Sequence, residues 1–145
     1  MEPPQPVTSR PLWMTALLVV CLLGVIVNVY RDVLIADSRN VEVWFGFEFT
    51  GWVAKLTAPL HWAILAAGAW GIWKLRPWMW PWASLYVFYV ALSHLVWSEA
   101  SAQGRGWPIG LLQAAAISVV AIALWRARSV FQHCGSPEFG LPREH

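Results

Sequence analysis

Apolar residues run along this chain in four long stretches rather than in alternation with polar ones. The first, Leu12 to Val29, contains no charge. The second spans Trp52 to Trp73 and is interrupted by Lys55 and Pro59. The third covers Pro81 to about residue 98, and the fourth runs from Pro108 to Trp125, followed at once by Arg126 and Arg128. Each reaches about 17–22 residues, enough to cross ~30 Å of hydrocarbon at ~1.5 Å per residue. Continuous runs suit helices, which satisfy their own backbone hydrogen bonds in lipid. The pattern predicts an all-α integral membrane bundle of four transmembrane helices, spans about 12–29, 52–73, 81–98 and 108–125, within a domain of residues 11–130. The first run is longer than a signal-peptide core and no A-x-A site follows it, so it is expected to be retained.

Between the first two runs lies one sizeable connection, residues 30–51. It holds four acids, Asp32, Asp37, Glu42 and Glu48, yet also Val41, Val43, Trp44, Phe45, Phe47 and Phe49. Val41, Val43, Phe45, Phe47 and Phe49 fall at strand period around Glu42 and Glu48. A lone strand leaves unpaired edges, which is costly near lipid, and Asn40 offers a helix cap. The expectation is therefore a short interfacial helix in this first external loop. The Pro-rich residues 1–10 and the Pro/Gly-rich tail 131–145 read as unstructured ends. Gly135-Ser-Pro-Glu-Phe139 in that tail resembles a cloning scar.

Composition strengthens the membrane reading. The chain is 58% hydrophobic and 12% charged, about half the charge of a soluble domain. Its twelve tryptophans gather at the run ends, where an amphipathic indole is stable between hydrocarbon and headgroup. A net charge of +2 is too small and scattered to imply nucleic acid. Cys21 lies in the first run and Cys134 in the tail, with no C-x-x-C pair. Lysines and arginines favour the side holding Arg10, Lys74, Arg76, Arg126, Arg128 and Arg143 over that holding Arg31, Arg39, Lys55 and Arg105. This bias predicts a multi-pass protein of a bacterial inner membrane with both termini cytoplasmic.

Polar chemistry collects toward the outer half, where Asn28, His61, His94 and Gln113 lie within spans and Glu48, Lys55, Glu99 and Arg105 at the rim. Intramembrane polar groups usually face the bundle and mark a site. His61 and His94 are each thirteen residues from the cytoplasmic ends of their helices, Lys74 and Pro81. That places both imidazoles ~20 Å from that end, and the two rings are expected within about 10 Å of each other, the usual axis spacing of packed helices. Trp82, Tyr86, Tyr89, Ser93 and Trp97 form one face of the third span. Ala63, Ala67 and Gly71 in the second span, and Ala114, Ser118 and Ala121 in the fourth, have the spacing of close helix contacts.

These features support two roles. One is a non-enzymatic accessory or interaction component that meets the bilayer and a membrane protein partner. The other is a binder or carrier of a small hydrophobic or redox ligand, a quinone, isoprenoid or haem, held by His61, His94, Tyr86, Tyr89, Gln113, Asn28, Glu48 and Glu99. Several classes are excluded. The first span lacks the carboxylate of small multidrug transporters. The chain lacks the C-x-x-C of quinone-linked thiol oxidoreductases, and it has two intramembrane histidines where two-haem cytochromes need four.

Overall fold

A computed structural model describes residues 10–34 and 41–133. Four long helices carry the fold: α1 (Leu12–Leu34), α2 (Gly51–Trp73), α3 (Met79–Ala100) and α4 (Trp107–Arg126), followed by the short α5 (Arg128–His133). Between α1 and α2 lie two strands, β1 (Val41–Trp44) and β2 (Phe47–Thr50). Helices dominate, as the apolar runs predict. The expected C-terminal tail does not begin at 131: its first residues complete α5, with Phe131 buried in the core, while residues 134–145, most of the N-terminal segment and the proposed cap Asn40 lie outside the described residues.

The expected interfacial helix is not formed; residues 41–50 make an antiparallel hairpin with Val41 opposite Thr50 and Trp44 opposite Phe47. Phe45 and Gly46 both have positive φ, 55° and 85°, the backbone of a two-residue turn whose twist matches that of paired strands. The strand period is therefore real within each strand, but the turn at Phe45 and Gly46 shifts it: Glu42, Trp44, Phe47 and Phe49 share one face and Val41, Val43, Glu48 and Thr50 the other. The edge cost is met because the hairpin lies against helices, as its contacts below show.

α1 also runs past its apolar stretch, ending at Leu34 rather than near Val29. Arg31 and Asp32 sit on this extra turn and bond to each other, Arg31 Nε donating to Asp32 Oδ1 at 2.8 Å. The end of an apolar run is thus not the end of the helix. α3 contains a break at Trp80 (φ −99°, ψ 126°), so its regular turns begin at Pro81, as expected.

The helices form two pairs. α1 lies along α2 and α3 along α4, while α2 and α3 touch much less. In the first pair, a Cβ on Gly24 would stand 3.2 Å from Leu65, and one on Gly68 4.0 Å from Cys21 Sγ. In the second, Ala91, Ser84 and Ser98 of α3 and Gly110, Ala114 and Ala121 of α4 are buried. Ser84 Oγ donates to the Ala121 carbonyl at 2.7 Å, and Ser98 Oγ donates to that of Gly106 at 2.9 Å. The α4 stripe is as expected at Ala114 and Ala121. The α2 stripe is not: Ala63 and Ala67 are exposed, and the buried small residues are Ala54, Ala58, Ala69 and Gly71. Small-residue spacing alone does not fix the rotation of a helix, and α2 turns a different set of small residues inward against α1 and the hairpin.

A sharp turn joins the pairs. Leu75 takes a left-handed conformation (φ 47°), the Arg76 N–H donates to Gly71 O at 2.9 Å, and the Leu75 N–H to Ile72 O at 3.3 Å. These are the two bonds that close a helix C-terminus and reverse the chain. The hydrophobic core lies at this end, where Met14, Ile72, Met79, Leu124, Val130 and Phe131 meet from all five helices. The hairpin closes the other end.

Two helices, α1 and α4, are long and apolar enough to cross a membrane. Only 6% of the apolar window of α1 and 22% of that of α4 is buried, so neither is the enclosed helix of a water-soluble core. α2 and α3 fall short of this, their apolar residues being interspersed with tryptophans and with polar residues such as Lys55, His61, Ser93 and His94.

Candidate functional site

The hairpin end gathers most of the side-chain polar contacts among the described residues, and they begin with Glu42. This residue is only 3% exposed and lies on β1, where alternate side chains share a face. One carboxylate oxygen accepts from Arg31 Nη2 of α1. The other accepts from His61 Nδ1 of α2. Two positions along the same face, Trp44 stacks on the His61 ring with centroids 4.1 Å apart and planes 13° apart. Beside them Trp62 Nε1 donates to Asp32 Oδ2 at 2.9 Å. Thus α1, β1 and α2 are fastened by one network of Arg31, Asp32, Glu42, Trp44, His61 and Trp62. The Trp44 indole N–H is enclosed and has no partner.

The same hairpin reaches α3. The Phe45 N–H donates to the Tyr89 hydroxyl at 3.0 Å, and the two rings meet edge to face at 5.1 Å. Gly46 presses so closely that a Cβ there would stand 2.4 Å from Val96 Cβ and 2.9 Å from the Ser93 carbonyl. Glu48 Oε1 accepts from Trp97 Nε1 at 2.8 Å and from Ser101 Oγ at 2.6 Å. These donors, the Ser101 hydroxyl first and the Trp97 indole second, hold the Glu48 carboxyl below its ordinary pKa. The hairpin is therefore a strap fastened to both helix pairs.

Of the residues expected to form a site, His61 enters the Glu42 network, and Tyr89 and Glu48 anchor the strap to α3. Tyr86 is half-buried with its ring 5.9 Å from that of Tyr89. Asn28 Nδ2 donates to the Gly24 carbonyl of its own helix at 2.7 Å, which accounts for a polar group within a span. His94 and Gln113 are exposed. The equal depth of His61 and His94 does not make a pair: the His61 ring is taken up by Glu42 and Trp44, while that of His94 faces outward. Glu99 is exposed at the edge of an apolar groove of about 520 Å³ between Phe47, Val96, Trp107 and Leu111.

Arg31, Asp32, Glu42, Trp44 and Trp62 were not legible as site residues. The signal that could have found them is the strand period itself, which puts Glu42 and Trp44 on one face. Among the described residues, no three His, Cys, Asp or Glu side chains converge as they would around a metal ion. The chain matches no protein family, no curated protein and no solved structure.

Proposed function

We propose that this chain is an integral membrane protein of four spans, with both termini cytoplasmic, that serves as a non-enzymatic accessory or interaction component. The observation that carries the reading is how the polar and apolar groups are divided. The acids Asp32 of α1 and Glu42 and Glu48 of the strap are consumed in holding that end together: both oxygens of Glu42 and both of Asp32 accept bonds, and Glu48 accepts two. The apolar side chains are left outward along every long helix, among them Leu23, Ile26, Leu60, Trp70, Leu92, Leu112 and Val119. A surface of this kind suits lipid and the helices of a neighbouring membrane protein.

Gentle detergent extraction followed by affinity recovery of the intact chain tests the reading. A constant membrane-protein partner is expected at fixed stoichiometry. A chain that is consistently recovered as a solitary monomer would overturn the accessory role.

The second reading, a carrier of a flat hydrophobic ligand such as a quinone or isoprenoid, is favoured by the unpartnered Trp44 N–H beside His61. Purified protein should then yield an extractable ligand that is lost in His61→Ala.

A further inference from the structure

Every carboxylate among the described residues stands at the strap end: Asp32, Glu42, Glu48 and Glu99. The opposite end carries Arg10, Lys74, Arg76, Arg126 and Arg128 and, among the described residues, no carboxylate. Three of these cations are held over indoles. Lys74 lies 4.4 Å from the Trp73 ring, Arg76 4.9 Å from Trp70 and Arg128 4.7 Å from Trp80. Arg10 has its Nε and Nη1 enclosed without a partner. Cations gathered in this way attract an anion.

Arg126 differs from the others. It is exposed at the end of α4 and borders a groove of about 200 Å³ between α3 and α4. Leu85, Phe88, Ala121, Ile122 and Trp125 line the groove. Ser84 also borders it, but its hydroxyl is spent on the Ala121 carbonyl, so the walls are hydrocarbon. Ile122 is one turn below Arg126, ~6 Å at ~1.5 Å per residue, and Phe88 continues the groove toward the middle of the molecule. A cation at the rim and an apolar channel running inward match a ligand with a charged head and a hydrocarbon tail.

We infer that this groove binds an anionic phospholipid, its phosphate on Arg126 and one acyl chain between α3 and α4. A free phosphate would leave the apolar walls unused, and a zwitterionic lipid would gain little from five cations. The inference rests on the membrane residence proposed above.

Native mass spectrometry of the full chain in detergent tests it, with dioleoyl phosphatidylglycerol or dioleoyl phosphatidylcholine added at equal concentration. Phosphatidylglycerol should be retained in preference. Arg126→Gln should weaken its retention about fivefold, the contribution of one basic residue at an anionic surface, and leave phosphatidylcholine unchanged. Ile122→Trp, which fills the groove with Arg126 intact, should also reduce retention, while Arg105→Gln at the strap end should not. Circular dichroism checks that each variant keeps its helices. Equal retention of the two lipids would overturn the inference, as would equal losses from Arg76→Gln and Arg126→Gln, which describe a diffuse collar. Alkaline extraction of membranes separates the two readings. A chain released by it is not integral, and both proposals fall; a chain that stays and does not discriminate loses the lipid site alone.

Discussion

Glu42 accepts a bond on each oxygen while nearly excluded from solvent, so its removal strands two donors rather than one. Hydrogen bonds to charged groups contribute about 1.5–3 kcal/mol each. Glu42→Ala is expected to cost about 2–3 kcal/mol in reversible detergent unfolding, because Arg31 keeps Asp32 and is partly exposed. His61→Phe keeps a ring under Trp44 but removes one donor, and should cost less. Glu48 behaves differently because it lies at the surface. Its pKa is depressed in the fold, so its contribution is complete above about pH 4.5 and is lost as pH falls through the lower native value. Hydrogen-exchange protection at β2, taken relative to the intrinsic rate at each pH, should therefore fall on acidification below that range, and Glu48→Gln should remove the dependence. None of these pairings could be read from the sequence, since a loop acid is ordinarily solvated. Arg31 and His61 become partners only once β1 brings Glu42 between them.

At the scale of the elements, the strap depends on its turn. Gly46 combines a positive φ with a near approach to Val96 and the Ser93 carbonyl. Gly46→Ala should destabilise the hairpin by about 1–3 kcal/mol and lift it from α3, read as a loss of protection at the Phe45 amide. The four helices were legible because long apolar runs have few alternatives, and their bounds in the fold differ from expectation mainly at α1. The hairpin was harder to read. Its alternation was visible, but ten residues do not reveal that neighbouring helices will cover a strand edge. Equal depth on α2 and α3 likewise did not give His61 and His94 like surroundings: His61 is engaged by Glu42 and Trp44 while His94 is exposed, because depth does not fix a helix's rotation.

For the whole molecule, the charge pattern and the indoles give a direction to the axis. Reporter fusions at both termini should be active only on the cytoplasmic side, and a reporter placed between residues 35 and 40 only on the outer side. Opposite results would reverse the orientation. The division into two polar ends was legible from the positions of Lys74, Arg76, Arg126 and Arg128. Which helices pair was not, since the small-residue spacing of the second and fourth spans does not name a neighbour, and those two helices pair with α1 and α3 rather than with each other.

The turn at Leu75 makes one continuous chain out of two pieces that each pair within themselves. The strap belongs to the first piece by sequence and grips the second through Tyr89, Val96, Trp97 and Ser101. Covalent continuity at residues 76 and 77 is then dispensable. Fragments 1–76 and 77–145, made together in one cell, should find each other and co-purify, and Gly46→Ala in the first fragment should weaken that reunion. The strap thus serves as the chain's own adhesive between halves.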